Sequence, residues 1–313
     1  MSLAFVFPGQ GSQAPGMGRD LAEAFPIARE TFQEVDDALG QKLSRLMFEG
    51  PAEELTLTAN AQPALMAVSV AVSRVLAKEG GFDMSRQVSL VAGHSLGEYS
   101  ALTAAGAFDL ATAARLLRLR GDSMQAAVPP GVGAMAALLG AEAEQAAAIC
   151  ATAAQGEVLE VANDNGGGQV VVSGAKAAVE RAVEAAKAAG IKRAMILPVS
   201  APFHCAMMAP AARVMEEALA KAAMAHPAVP VVANVTAAPV SDPEAIRGLL
   251  VKQVTGTVRW RECVAAMVAA GCTRFAEVGA GKVLTGLMKR NAPEATALAI
   301  NNPADIEAFL KSL

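Results

Sequence analysis

Gly93-His94-Ser95-Leu96-Gly97 is a G-x-S-x-G pentapeptide, which predicts a reactive serine on a sharp turn. The residues before it, 87–92, are mostly apolar and partly β-branched, which is typical of a buried strand. The residues after it, 98–105, are rich in alanine and are followed by Gly106, which indicates a helix and its end. Ser95 is therefore expected at a strand-to-helix corner, a nucleophile elbow.

The two glycines let the backbone turn tightly, because neither brings a β-carbon into the corner. The N–H groups that open the following helix have no acceptors within it, so they would point at an oxyanion formed when Ser95 attacks a carbonyl group. Leu96 would supply one of these donors. The alternative is an ordinary glycine-rich turn, since five-residue patterns also recur by chance.

Composition limits the classes of function. With 313 residues, 53% of them hydrophobic, the chain is long enough to bury a sizeable core in one large domain or two smaller ones. The net charge of −4 and the absence of a long basic run argue against a nucleic-acid binder. We also expect no membrane span, because proline and polar residues interrupt the longer uncharged stretches.

The cysteines and the first residues indicate a cytoplasmic location. Four scattered cysteines form no C-x-x-C pair, so neither a disulfide framework nor a metal site is expected. The chain passes directly into Leu3-Ala4-Phe5-Val6-Phe7 without a positively charged region, which predicts a strand rather than a signal peptide.

The order of the predicted elements indicates an α/β fold in two parts. Strands and helices alternate in residues 1–130 and 198–313, which predicts a large domain with a mostly parallel sheet. Residues 131–197 show the order βαββαβ of a ferredoxin-like unit, which predicts a small inserted domain. The glycine-rich stretch 163–168 precedes a strand rather than a helix, so a hairpin is expected there instead of a phosphate site.

A serine nucleophile needs a general base, and the chain has three histidines. His94 is next to Ser95 on the turn, so its side chain should point away from that of the serine. His226 precedes a proline in a predicted loop, which does not favour a catalytic role. His204 lies in a loop between a strand and a helix, from which a side chain can extend over the sheet edge, and is the base by elimination.

A third catalytic member is left open by the pattern. Asp122 and Asp164 are the acids in suitable loops between Ser95 and His204, but a backbone carbonyl or an amide side chain is the simpler partner for the histidine.

Two further candidate functional features, a loop and a helix end, can also be explained without a function. The loop after the first strand would offer the backbone N–H of Gln10 as a second oxyanion donor, or it is a plain βα turn. The helix predicted over residues 109–120 carries Arg115, Arg118 and Arg120 near its end, where basic residues commonly pair with the helix dipole, and the pattern does not choose among them.

Five motifs follow one another along the chain: Phe7-Pro8-Gly9-Gln10-Gly11-Ser12-Gln13, Gly93-His94-Ser95-Leu96-Gly97-Glu98-Tyr99, Arg120-Gly121, Pro202-Phe203-His204 and Glu277-Val278-Gly279-x-Gly281. Together they resemble the malonyl-CoA:acyl-carrier-protein transacylases of fatty-acid synthesis. The resemblance covers nearly the whole chain, and the ordered set is far more specific than any one motif. It implies an α/β-hydrolase-like large domain with a ferredoxin-like insert.

The resemblance also implies roles for single residues. Ser95 would be acylated, and His204 would act as general base and acid. The backbone N–H groups of Gln10 and Leu96 would form the oxyanion hole.

Three further positions follow from the same resemblance. Arg120 would bind the free carboxylate of a malonyl group, and the backbone carbonyl of Gln253 would orient the histidine. Phe203, just before that histidine, is typical of members that prefer malonyl over methyl-branched groups.

The implied reaction moves a malonyl group from coenzyme A to the phosphopantetheine thiol of acyl carrier protein through a malonyl-serine, a ping-pong acyl transfer. One thioester replaces another, so no cofactor, metal or ATP is expected. The expected partners are a coenzyme A thioester and acyl carrier protein, and the chain is expected to be a monomer. The alternatives are a serine thioesterase or hydrolase of the same fold and a non-catalytic carrier-protein docking module.

Overall fold

Two sheets organise the protein, in a computed structural model that describes residues 2–199 and 201–313. The larger sheet has the strand order β10-β9-β1-β2-β7-β8, and the smaller has the order β4-β5-β3-β6. The strands are β1 (Ser2–Phe7), β2 (Leu90–Gly93), β3 (Gly133–Leu139), β4 (Leu159–Asp164), β5 (Gln169–Ala175), β6 (Arg193–Ile196), β7 (Val231–Val232), β8 (Pro239–Val240), β9 (Cys272–Val278) and β10 (Thr296–Ile300).

Helices connect these strands. They are α1 (Arg19–Ala24), α2 (Pro26–Leu39), α3 (Leu43–Glu49), α4 (Ala52–Thr56), α5 (Thr58–Gly80), α6 (Met84–Gln87), α7 (Gly97–Ala104), α8 (Leu110–Ala126), α9 (Ala143–Ala153), α10 (Lys176–Ala188), α11 (Ala209–Lys221), α12 (Pro243–Thr255), α13 (Trp260–Ala269), α14 (Val283–Asn291) and α15 (Pro303–Lys311). A short 3₁₀ helix, Ala206–Met208, precedes α11. None of the described helices is both long and apolar enough to cross a membrane.

Strand β1 lies at the centre of the larger sheet, between β2 and β9, and pairs in parallel with both. Phe5 and Phe7 face one hydrophobic core, whereas Ala4 and Val6 face another on the opposite side of the sheet. A strand buried on both faces needs apolar residues at every position, which explains the continuous run in β1. The prediction of an α/β fold with a mostly parallel sheet is confirmed, with only the edge strand β8 antiparallel in this sheet.

The carboxyl ends of β1 and β2 meet at one edge of the larger sheet, because Phe7 pairs with Gly93. The loop after β1 and the corner after β2 therefore lie side by side. In open parallel sheets, binding sites form outside the carboxyl ends of the strands. This edge is accordingly the place where the functional residues are expected to meet.

The smaller sheet is antiparallel and has its own hydrophobic core with α9 and α10. Its strand β4 is also bonded to the larger part of the protein. The backbone N–H of Val258 donates to the carbonyl of Ala162 at 2.9 Å, and that of Asp164 donates to the carbonyl of Val258 at 3.0 Å. These two bonds join β4 to the segment between α12 and α13.

Some elements differ from the sequence-based expectation. Helix α8 does not end at Arg120 but continues to Ala126, so Arg120 lies in its interior. The helix passes through Gly121 because this residue packs against α5: a β-carbon here would lie 2.5 Å from the Cα atom of Ala59. The strand predicted over residues 229–235 is only Val231–Val232, since the chain turns into the hairpin with β8.

Candidate active site

Ser95 lies on the corner between β2 and α7 with a positive φ of 54°. Both flanking glycines are required by close packing. A β-carbon on Gly93 would lie 1.9 Å from the carbonyl of Gly97, and one on Gly97 would lie 2.3 Å from the carbonyl oxygen of Phe7. Positive φ in a residue other than glycine is a strained conformation that the surroundings must hold in place.

Asn234, just after β7, holds this corner. Its Oδ1 accepts the backbone N–H of Ser95 at 2.8 Å, and its Nδ2 donates to the carbonyl of Gly93 at 2.7 Å. The backbone N–H of Asn234 donates in turn to Oε2 of Glu98 at 3.0 Å. Sequence reasoning missed Asn234, because a single asparagine 139 positions from the serine carries no local signal.

His204 faces Ser95, and its Nε2 lies 2.7 Å from the serine Oγ. The other ring nitrogen, Nδ1, lies 2.9 Å from the carbonyl oxygen of Gln253 and 3.2 Å from that of Gly256. Carbonyl oxygens only accept hydrogen bonds, so Nδ1 carries the proton. Nε2 is consequently the unprotonated nitrogen and accepts the hydroxyl proton of Ser95.

Burial keeps His204 neutral. The residue is 4% exposed, and this burial, with the nearby guanidinium of Arg120 as the next cause, lowers its pKa from 6.5 to about 3. A histidine with so low a pKa is unprotonated at neutral pH and is in the form that a general base needs.

The other histidines and the candidate acids do not form the hydrogen bonds that a catalytic base or its orienting acid would need. Nε2 of His94 is 2.8 Å from Oδ1 of Asn165, and His226 is exposed, with Nδ1 bonded to the carbonyl of Ser241. Asp164 forms an ion pair with Arg261 at 2.8 Å, and Asp122 is exposed. Of the alternatives left open by the sequence, the structure places backbone carbonyls rather than a carboxylate against Nδ1 of His204.

Arg120 is the arginine that reaches the serine. It is 1% exposed, and its Nη2 donates to Oγ of Ser95 at 3.2 Å. Oxygens of Gln62 and Gln253 accept from its Nη1 and Nη2 at 2.8 and 2.9 Å. The other two candidates turn away, since Arg118 donates to Gln41 and Arg115 is exposed.

The carboxamide of Gln253 links this arginine to a buried acid. Its Nε2 donates to Oε2 of Glu98 at 2.8 Å and to the backbone carbonyl of Ser95 at 3.0 Å. Glu98 is 1% exposed, and burial raises its pKa from 4.5 to about 7. Sequence analysis assigns no role to Glu98, although this residue belongs to the longer motif around the serine.

A cavity of about 580 Å³ opens over these groups. Its lining includes Gln10, Ser95, Arg120, Phe203 and His204, so predicted site residues from four segments of the chain line the same cavity. A cavity of this size fits a small-molecule group.

The two predicted oxyanion donors, Leu96 and Gln10, belong to segments that meet at the corner. Leu96 is the N-cap of α7, where the first N–H groups of a helix have no acceptors inside it. The loop that carries Gln10 packs onto the corner: a β-carbon on Gly9 would lie 2.7 Å from the carbonyl oxygen of His94.

Comparisons with known proteins agree with this arrangement. The family model for the acyl transferase domain matches residues 4–302. The malonyl CoA-acyl carrier protein transacylase of Escherichia coli strain K12 is 50% identical over 309 residues, which cover 99% of each chain.

Solved structures are similar over the full length. The acyl-carrier-protein-S-malonyltransferase of Bartonella henselae is 55% identical with a TM-score of 0.98, and the match covers 100% of this chain and 99% of that one. A malonyl-transacylase solved in complex with its type II PKS acyl-carrier protein is 47% identical with a TM-score of 0.96 over 100% of both chains. The chain therefore belongs to the acyl transferase family, in the branch of the malonyl CoA-acyl carrier protein transacylases.

Proposed function

We propose that this protein transfers a malonyl group from coenzyme A to the phosphopantetheine thiol of an acyl carrier protein. The observation that supports this most is the meeting of three groups at one cavity wall: the Oγ of Ser95, the unprotonated Nε2 of His204 and the guanidinium of Arg120. A general base and a cation both contact the same hydroxyl. The base suits nucleophilic attack on an acyl donor, and the cation suits a donor that carries a free carboxylate.

The transfer proceeds through a malonyl ester on Ser95. His204 accepts the hydroxyl proton as Oγ attacks the thioester carbonyl, and the N–H groups of Leu96 and Gln10 donate to the oxyanion. Collapse of the tetrahedral intermediate returns the proton to the sulfur of coenzyme A. The carrier thiol then attacks the ester by the reverse route, which makes the reaction ping-pong.

Arg120 selects for malonyl by pairing with its carboxylate. A charge-assisted hydrogen bond contributes about 1.5 to 3 kcal/mol, which corresponds to roughly ten- to a hundredfold in favour of malonyl over acetyl. Phe203 contributes apolar surface to the same cavity, next to the base. A relative 47% identical to this chain has been solved with its acyl-carrier protein, which supports a carrier protein as the acceptor.

We also propose that residues 131–197 form a ferredoxin-like domain inserted into an α/β-hydrolase-like domain of residues 1–130 and 198–313. The order β4-β5-β3-β6 and the two helices α9 and α10 on one face support this assignment. We expect the protein to act as a monomer in the cytoplasm, where free thiols such as its four cysteines are typical.

Intact-mass measurement after brief exposure to malonyl-CoA tests the proposal. The protein should gain the mass of one malonyl group, and the Ser95→Ala variant should gain none. Added acyl carrier protein should then remove the group and become malonylated. EDTA should leave adduct formation unchanged, because exchange of one thioester for another needs no metal.

Two outcomes would contradict the transferase. Rapid release of free malonate without the carrier would indicate a hydrolase. Carrier binding with no covalent adduct on the wild-type protein would indicate a docking module.

A further inference from the structure

Two opposite charges, Arg120 and Glu98, are buried beside Ser95 and are joined by a single carboxamide. Oε1 of Gln253 accepts from Nη2 of Arg120 at 2.9 Å, and Nε2 of Gln253 donates to Oε2 of Glu98 at 2.8 Å. Arg120 and Glu98 are each 1% exposed. Water therefore does not screen either charge, and each depends on the groups around it.

The hydrogen-bond partners of Arg120 in the protein are all uncharged: Gln62, Gln253 and Ser95. Within the part of the chain that the structure describes, no carboxylate forms a direct ion pair with it. A buried cation without a counter-charge is costly, and Glu98 is the buried anion that interacts with it electrostatically. With Glu98 ionised, the site before substrate binding is close to neutral overall.

A substrate carboxylate at Arg120 changes this balance, because the site then holds two anions and one cation. When two carboxylates share a buried site, ionising both costs more free energy than ionising either one alone. We propose that Glu98 takes up a proton when the substrate carboxylate pairs with Arg120, and that it thereby makes the selectivity for carboxylate-bearing acyl groups depend on pH. The inference rests on the proposed function.

The proton comes from the solvent and forms an O–H bond on the Glu98 carboxyl group, while no bond of the substrate changes. The protonated carboxyl group still has a carbonyl oxygen that accepts from the backbone N–H of Asn234 and from Gln253. Because burial raises the pKa of Glu98 to about 7, protonation near neutral pH costs little.

The other titratable groups around Glu98 keep one charge state near neutral pH. Arg120 remains protonated, since a guanidinium does not lose its proton in proteins. Burial raises the pKa of Tyr99 and of Cys263, so both stay neutral. His204 is neutral as well, because its pKa is lowered to about 3. A change between pH 6 and 9 in this part of the site therefore reports on Glu98.

The test is the ratio of kcat/KM for malonyl-CoA to kcat/KM for acetyl-CoA, measured from pH 6 to 9. Both donors contain coenzyme A and use the same serine and histidine, so their common pH effects cancel in the ratio. The ratio should fall above pH 7, with a slope approaching about tenfold per pH unit, because one proton is linked to binding of the malonyl carboxylate.

The Glu98→Gln variant should give a ratio that no longer varies with pH, since the amide keeps the shape and an acceptor oxygen but does not titrate. The matched control is Glu277→Gln. Glu277 is also 1% exposed with its pKa raised by burial, but it accepts from Leu284 and Thr285 instead. This control should retain the wild-type slope.

A binding measurement keeps the inference testable even if Glu98→Gln does not fold. Ser95→Ala protein is titrated with malonyl-CoA at pH 8 by calorimetry in two buffers of different ionisation enthalpy. About one proton should be taken up with malonyl-CoA and none with acetyl-CoA.

Three results would overturn the inference: a wild-type ratio independent of pH, the same slope in Glu98→Gln, or no proton uptake in the calorimeter. Failure of the proposed function has a different signature, which is the absence of a malonyl adduct on wild-type Ser95.

Discussion

The side-chain oxygen of Asn234 accepts the backbone N–H of Ser95 at 2.8 Å, across 139 positions of sequence. The bond reaches a serine whose φ is 54°, a conformation that a free chain disfavours. The backbone of the nucleophile is therefore held by a residue that follows the neighbouring strand β7, while its hydroxyl faces His204.

Replacing Asn234 with alanine should slow acylation of Ser95. The variant loses two hydrogen bonds that fix the corner. We expect the less well placed hydroxyl to raise the activation free energy by about 1.4 to 2.7 kcal/mol, so that kcat falls roughly ten- to a hundredfold with little change in KM. Stopped-flow acylation, at a temperature where the variant is folded, measures this.

Asn302→Ala is the control for this experiment. Asn302 caps α15, so its loss should cost about 1 kcal/mol of stability and leave kcat unchanged. Equal kcat values in both variants and the wild type would show that Asn234 does not position the serine.

Arg120→Ala should lower malonyl transfer by roughly ten- to a hundredfold and spare or raise acetyl transfer, because of the two acyl groups only malonyl carries a carboxylate that can pair with the guanidinium. Arg118→Ala is the matched control, since that side chain lies on the same helix but donates to Gln41. Steady-state kinetics with both donors measures the effect. Equal losses for the two donors would reject the role of Arg120 as a carboxylate clamp.

The acylation rate at saturating malonyl-CoA should stay nearly constant between pH 7 and 5. The reacting form of His204 is neutral, and a pKa lowered to about 3 keeps it neutral until the pH falls well below 5. A histidine with the ordinary value of about 6.5 would lose activity roughly 25-fold over the same interval. Single-turnover mass measurements distinguish the two, and a midpoint near pH 6.5 would contradict the buried, neutral base.

Gly97→Ala and Gly248→Ala should change stability in opposite directions. A β-carbon at residue 97 would lie 2.3 Å from the carbonyl oxygen of Phe7, so we expect a loss of about 1–3 kcal/mol or more. At residue 248, within α12, a β-carbon meets open space, and alanine should stabilise the helix by about 0.5–1 kcal/mol. Urea unfolding measures both, and a stable Gly97→Ala protein would refute the packing argument.

Much of the fold follows from local sequence. The sequence predicts strands over residues 133–139 and 296–300, and β3 and β10 have these bounds. Turn residues flank each run, since Gly140 follows β3 and Asn301 follows β10. Sequence alone predicts this helix over residues 109–120, whereas α8 continues through Gly121 to Ala126. The role of Gly121 in close helix packing depends on Ala59, which no local pattern reveals.

The site was predictable only where a residue type is rare or belongs to a motif. Elimination among three histidines reached His204, and the pentapeptide indicated Ser95. Asn234 and Gln62 are ordinary polar residues, and their contacts to the corner and to Arg120 arise only when distant segments meet. The pattern alone does not distinguish Arg120 from Arg115 and Arg118, because its contacts with Gln62 and Gln253 also join distant segments.

The bonds that Asn234 and Gln253 make to Ser95 also bear on protein synthesis. A growing chain that has left the ribosome only as far as α11 contains the serine and His204 but neither of these supports. It also lacks β9, the second neighbour of β1. We therefore expect that Ser95 in nascent protein does not react with thioesters until the last third of the chain has been translated. Unfinished copies would then not become acylated.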